Sequence, residues 1–170
     1  MEFNDVITGR YSCRKYSNKQ ISEELLTKIL EAGRLAPTAK NLQEQHIYVV
    51  RSEKGLEKID QLTPYRYDAN TVLIICYDKN NVYVYPGKEK DSGVEDASIV
   101  ATHIMLAAYN EGISSCWLNV FNPKDVSKAF NIPENEEVVL MLDLGYARED
   151  SRPASLHYKS KELSEMVDYI

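Results

Sequence analysis

The amino-acid sequence predicts an α+β fold in which helices flank one central sheet, with residues 1–170 forming a single domain. Three observations carry this. Short apolar runs such as Ile47 to Val50, Val72 to Tyr77 and Val138 to Leu144 alternate with stretches of helical period. The stretch from Gly93 to Glu111 is apolar around most of its circumference when wound as a helix, which places it at the centre of a domain or against another subunit. None of the seven glycines builds a G-x-G-x-x-G or a P-loop, which disfavours a doubly wound dinucleotide-binding sheet. A chain of 170 residues that is 44% apolar can bury a sizeable core.

The elements follow in order. Phe3, Val6 and Ile7 predict a short helix ending near Gly9, which delivers Arg10 to Arg14 onto a loop. Ser22 caps a stronger helix, in which Leu25, Leu26, Ile29, Leu30 and Gly33 form one stripe and Glu23 and Glu24 suit the positive end of the helix dipole. That helix stops before Pro37, because the residue ahead of a proline avoids helical geometry. Ile47 to Val50 reads as a strand and Lys54 to Leu62 as a polar helix. Val72 to Tyr77 is apolar without interruption and belongs in the middle of the sheet. The loops Pro64–Asn70 and Pro86–Ser92 are expected to be mobile. Gly112 suits a left-handed terminator after the apolar helix. Trp117 to Val120 reads as a strand, Asn122-Pro123 as an N-cap with proline in the first turn, and Val138 to Leu144 as a buried strand. After Pro153 only a weak helical pattern remains, at Leu163, Met166 and Val167.

Composition narrows the function. A net charge of −6 argues against a nucleic-acid partner, which would select a basic stripe. Residues Met1 to Asp5 carry no signal-peptide pattern and no run reaches a membrane-spanning length, so the expected location is cytoplasmic, with no membrane partner. Cys13, Cys76 and Cys116 lie far apart without metal-ligand spacing, so no metal is expected, and Cys76 and Cys116 read as core thiols. His46 and His103 read as structural, and His157, near the basic tail, is assigned no role.

Two local surpluses of cations stand out on this acidic chain: Arg10-Tyr11-Ser12-Cys13-Arg14 and Lys159-Ser160-Lys161. Each alternates cations with a small hydroxyl, a combination that grips an anion from several directions, although surface cations more often only solvate a face. Between them runs Ala36-Pro37-Thr38-Ala39-Lys40-Asn41-Leu42-Gln43, which taken alone is an ordinary loop after a helix. No carboxylate pair, Ser-His-Asp order or nucleophile elbow is evident, and no side chain is expected to act as a catalytic nucleophile.

Taken together, Arg10-Tyr-Ser-x-Arg, Ala36-Pro-Thr-x-x-Asn-x-Gln, Gly112-Ile-x-x-Cys-Trp and Leu144-Gly-Tyr resemble the nitroreductase family of FMN-dependent oxidoreductases, in order and spacing, over nearly the whole chain. The resemblance implies a mostly antiparallel sheet in a homodimer that holds FMN at its interface and packs through the helix Gly93 to Glu111. It implies that Arg10 and Ser12 hold the phosphate and ribityl end, that Arg14 lies beside the pyrimidine edge of the ring, and that Lys159 and Lys161 complete the phosphate grip. Tyr11 lies within the same motif where an Arg or His is usual. Pro37, Thr38 and Asn41 would line the flavin, although Glu44 and Gln45 replace the usual Pro and Trp. Asn119 and Val120, after Cys116-Trp117, align with the segment whose backbone N–H faces flavin N5, and Trp117 reads either as part of that site or as core. The implied activity is reduction of nitroaromatics, quinones or similar small acceptors by NADH or NADPH through bound FMN, in a ping-pong cycle. A flavin-binding storage or redox-sensing protein is the alternative.

Overall fold

A computed structural model describes residues 1–170. Five helices and four strands follow one another as α1 (Phe3–Gly9), α2 (Glu23–Arg34), β1 (Gln45–Val50), α3 (Glu53–Leu62), β2 (Thr71–Asp78), α4 (Gly93–Asn110), β3 (Ser114–Leu118), α5 (Pro123–Phe130) and β4 (Glu136–Gly145). All three strand pairings are antiparallel and the sheet order is β1-β2-β4-β3, so β2 is central and β3 is an edge. The expectation of an antiparallel sheet flanked by helices is met. No helix is long and apolar enough to cross a membrane.

Strand period explains the layering. In β2, Leu73 and Ile75 face α2 and α4, while Val72, Ile74 and Cys76 face the α3 and α5 side. β4 shares the division, with Leu140, Leu142 and Leu144 on one face and Met141 on the other. A register shift between Ile75 and Cys76 sends Val138 to the Met141 side. With both faces covered, every residue from Thr71 to Tyr77 is buried.

The caps match the sequence. Ser22 Oγ accepts the Leu25 N–H at 3.2 Å, Ser52 Oγ that of Gly55 at 3.2 Å, and Asn122 Oδ1 that of Lys124 at 3.0 Å. Helices α2 and α4 approach closely at Gly33, where an added Cβ would sit 2.7 Å from Ile104 Cγ1. Gly112, with φ 76°, ends the α4 turn as its sequence position predicts.

Two readings need correction. Strand β3 covers Ser114–Leu118 and not Trp117 to Val120, because Asn119 to Asn122 must turn away to cap α5. The tail forms two short 3₁₀ turns, Ser155–Tyr158 and Leu163–Glu165, in place of a helix, since Leu156, Tyr158, Leu163 and Met166 find nothing in this chain to pack against and stay more than 60% exposed.

Candidate functional site

The segment after α1 is held extended along the sheet edge. Ser12 bridges to Ser115 of β3 in parallel, and the Cys13 N–H donates to Ser115 O at 2.9 Å. Extended backbone sends alternate side chains to opposite sides. Tyr11 and Cys13 turn toward Ser151, the Tyr11 hydroxyl donating to Ser151 Oγ at 3.1 Å and the buried Cys13 Sγ lying 3.4 Å from it. That leaves Ser12 and Arg14 facing outward. Neither Arg10 nor Arg14 enters an ion pair, and the one hydrogen bond of the Arg14 guanidinium is a long one, 3.5 Å to Ser12 O. Two uncommitted guanidiniums beside a small hydroxyl are what an anion site requires.

Arg14 also forms the rim of a cavity of about 180 Å³, walled by Tyr65, Tyr67 and the run Cys116 to Val120. Trp117 Nε1 donates to Asn119 Oδ1 at 3.1 Å, which pins the chain as it leaves β3. Cys116 is a buried thiol whose pKa is pushed up to about 11, first by burial and then by the Asp143 carboxylate, with Arg14 acting in the opposite direction. Cys76 is pushed up to about 12, chiefly by burial. Both are core thiols, as expected, and neither is a nucleophile at neutral pH.

The tail returns to the same place. The His157 ring meets Tyr11 edge-on with centroids 6.3 Å apart, so Lys159 follows directly after the N-terminal cluster is contacted. Lys159 and Lys161 are exposed and enter no ion pair. His46, by contrast, lies on β1 with Nδ1 2.7 Å from Glu136 Oε1, away from these groups.

Pro37, Thr38 and Asn41 are not part of this cluster. Their loop is folded tightly, with Lys40, Asn41 and Gln43 all at φ between 53° and 55°. Thr38 Oγ1 accepts the Gln43 N–H at 3.0 Å and Asp96 Oδ1 accepts the Ala39 N–H at 3.0 Å, which anchors the loop to the first turn of α4. The Arg10 segment is instead seated at the far end of that helix. Gly9 packs on the Tyr109 ring, and the Met1 amine donates to Asn110 Oδ1 at 2.9 Å. From Asp96 to Tyr109 the helix rises about 20 Å at about 1.5 Å per residue. Within one chain the candidate residues therefore fall into two groups at opposite ends of α4.

Sequence similarity agrees with the geometry. The family model described as "Nitroreductase family" matches residues 7–71 and 64–146, more than half of the chain. The chain belongs to the nitroreductase family. A nitroreductase family protein from Clostridium difficile 630 has a crystal structure that superposes with a TM-score of 0.92 at 35% identity, over 99% of this chain and 98% of that one. A structure titled as an FMN-dependent nitroreductase from Clostridium difficile R20291 superposes with a TM-score of 0.81 at 27% identity, over 98% of each chain. In Methanothermobacter thermautotrophicus, a relative with the provisional name NADH dehydrogenase/NAD(P)H nitroreductase is 34% identical over 159 residues, 88% of this chain and 80% of its own length.

In this nitroreductase-family chain, sequence reasoning missed Tyr65 and Tyr67 as cavity walls and Ser115 and Ser151 as the supports of the Arg10 segment. The two tyrosines were visible only as aromatics in a polar loop. For Ser115 and Ser151 the sequence carried no signal.

Proposed function

We propose that this protein is an FMN-dependent oxidoreductase that draws reducing equivalents from NADH or NADPH and passes them to a small acceptor such as a nitroaromatic or quinone. The observation that carries the reading is the division of the candidate residues between the two ends of α4. The cavity beside Arg14, about 180 Å³, falls short of the roughly 300–1,000 Å³ that encloses a ligand of cofactor size. A second copy, related by a two-fold axis, would bring its Pro37–Asn41 loop to that cavity and complete the site twice. Exposed Val94 and Ile99 on α4, with Leu156, Tyr158, Leu163 and Met166 of the tail, supply apolar surface for such a homodimer.

The residues present fit FMN. Arg10, Ser12, Lys159 and Lys161 offer uncommitted donors enough for one phosphate, and no Gly-rich loop is available for a pyrophosphate. FMN, when bound, supplies the two-electron chemistry that no side chain here provides. Arg14 would supply a cation beside the pyrimidine edge of the ring, where negative charge develops on reduction, and would so favour the reduced state. Trp117 and the two tyrosines make an apolar wall, and the backbone of Asn119 and Val120, freed from the sheet, is available to face the ring. Pro37, Thr38 and Asn41 of the partner subunit would close the opposite side.

The absorbance spectrum of purified protein tests this. A flavin spectrum that bleaches under anaerobic NADH or NADPH, with FMN alone released on denaturation, is the expected result. Protein that binds no flavin, or binds it and is reduced by neither nucleotide, overturns the proposal.

A further inference from the structure

The loop that carries Pro37, Thr38 and Asn41 ends at Glu44, a carboxylate in an unexpected place. Glu44 is 4% exposed and neither side-chain oxygen has a donor within reach. Its main-chain oxygen accepts the Asp78 N–H at 2.9 Å, which fixes the residue at the entrance to β1. Asp96 is equally buried, at 4% exposed, and close enough to hydrogen-bond the Glu44 carboxyl. Asp96 Oδ1 is taken by the Ala39 N–H, and Oδ2 is left without a partner. Two carboxylates cannot both be ionised in such a place without a cation, and none is at hand. Lys40 lies over the Tyr83 ring at 4.7 Å, Lys90 pairs with Glu95 at 3.3 Å, and Lys88 is exposed. Asp91, in the loop before α4, is a further negative group facing Glu44. One proton between the two carboxyls satisfies two of the three unpaired oxygens, with one Glu44 oxygen as donor and Asp96 Oδ2 as acceptor. Burial favours the neutral form of the Glu44 carboxyl, so the proton resides on Glu44.

We propose that Glu44 is a positioning residue for the loop 38–43, acting through a proton shared with Asp96 that holds Asp96 against the Ala39 N–H and so sets the shape in which the loop meets the flavin. The flavin contact rests on the function proposed above, whereas the shared proton does not. The chain bends at Lys40, Asn41 and Gln43 into left-handed backbone that side chains other than glycine adopt only under constraint, and Asp96 is one of the contacts that imposes it. Burial, then the hydrogen bond and repulsion from Asp96, and then Asp91 push the Glu44 carboxyl up to about 7. The contribution of the pair to the loop is accordingly complete at acid pH and is lost as pH rises toward and through neutrality.

The test compares full-length wild type with Glu44→Gln, whose amide can donate to Asp96 at every pH. Asp96→Asn, which can still accept from Ala39 and can donate to an ionised Glu44, is the second variant. In flavin-stripped protein, the Tm of each variant should rise relative to wild type as pH increases from about 5 to 8. Wild-type affinity for FMN should weaken about fivefold to tenfold between pH 7 and 8 relative to Glu44→Gln, since one proton is linked to binding. Ionisation of the FMN phosphate near pH 6 is common to both proteins and cancels in that ratio. A Tm difference that does not change with pH in either variant overturns the shared proton. A pH-dependent Tm difference with identical FMN affinity profiles overturns the positioning role. Wild type that binds no FMN at any pH, yet shows the Tm effect, refutes the functional reading and leaves the proton in place.

Discussion

Replacing Asp143 by Asn should make stability less sensitive to pH by an amount that the structure sets. Asp143 is fully buried in β4, opposite Val72 on β2 and Cys116 on β3, and neither carboxylate oxygen has a partner. Burial holds its carboxyl well above the usual carboxylate range, with the Arg66 guanidinium pulling the other way and Asp60 adding to the rise. The unfolded chain releases this proton near pH 4, at about 3.9, while the folded chain keeps it. The stability that depends on the group is thus complete below that pH and declines as pH rises toward the folded value. One such group costs at most about 1.4 kcal/mol per pH unit. For a chain of 150–250 residues, 1 kcal/mol moves Tm by roughly 2–4 °C. The Tm of Asp143→Asn should therefore gain on wild type by up to about 3–6 °C per pH unit between about pH 5 and 7. Thermal melts followed by circular dichroism measure this. A fixed offset, such as an unpaired Asn amide would introduce, cancels in the slope, and Glu44 titrates equally in both proteins. A Tm of Asp143→Asn that keeps a constant offset from wild type, or falls relative to it, as pH rises would show that Asp143 is ionised in the folded chain.

Three further outcomes concern the site. Arg10→Ala should weaken FMN retention about ten- to a hundredfold, as loss of one charge-assisted hydrogen bond worth about 1.5–3 kcal/mol implies, and equilibrium dialysis would read it. Arg14→Ala should lower the reduction potential of bound FMN and slow its reduction by NADH more than it weakens binding, with Arg14→Lys restoring only part, because an ammonium keeps the charge but loses the planar fork. An unchanged potential by spectroelectrochemistry together with a large loss of affinity would assign Arg14 to the phosphate instead. Sedimentation at low micromolar concentration should find a dimer, and a stable monomer loaded with FMN would contradict the two-copy site.

The elements were legible where a local rule governs them. Ser22 and Asn122 cap because a side-chain oxygen can reach the next N–H groups whatever the rest of the chain does. Gly112 terminates α4 because φ there is positive, and β2 is central because its uninterrupted apolar run needs cover on both faces. The local surplus of cations at Arg10 and Arg14 was equally legible on an acidic chain. Their support was not, since Ser115 and Ser151 are separated from them by more than a hundred residues and are ordinary serines until the sheet brings them close. The end of β3 was misplaced because Trp117 to Val120 is apolar enough for a strand, while the competing demand, that the chain turn to cap α5, is a matter of where α5 packs.

What the sequence determined by itself is the family, the set of elements and where its cations cluster, all of which depend on residue type, spacing and period. What only the tertiary structure decided is where those residues stand relative to one another. Helix α4 separates the Pro37–Asn41 loop from the Arg10–Arg14 segment by its own length. Tertiary packing likewise decided that Glu44 and Asp96 are both buried and that Asp143 lies unpaired within the sheet. The physical reason is common to these cases. Hydrophobic period and capping act over a few residues, whereas the protonation of a carboxyl depends on every group that packs around it, drawn from distant parts of the chain.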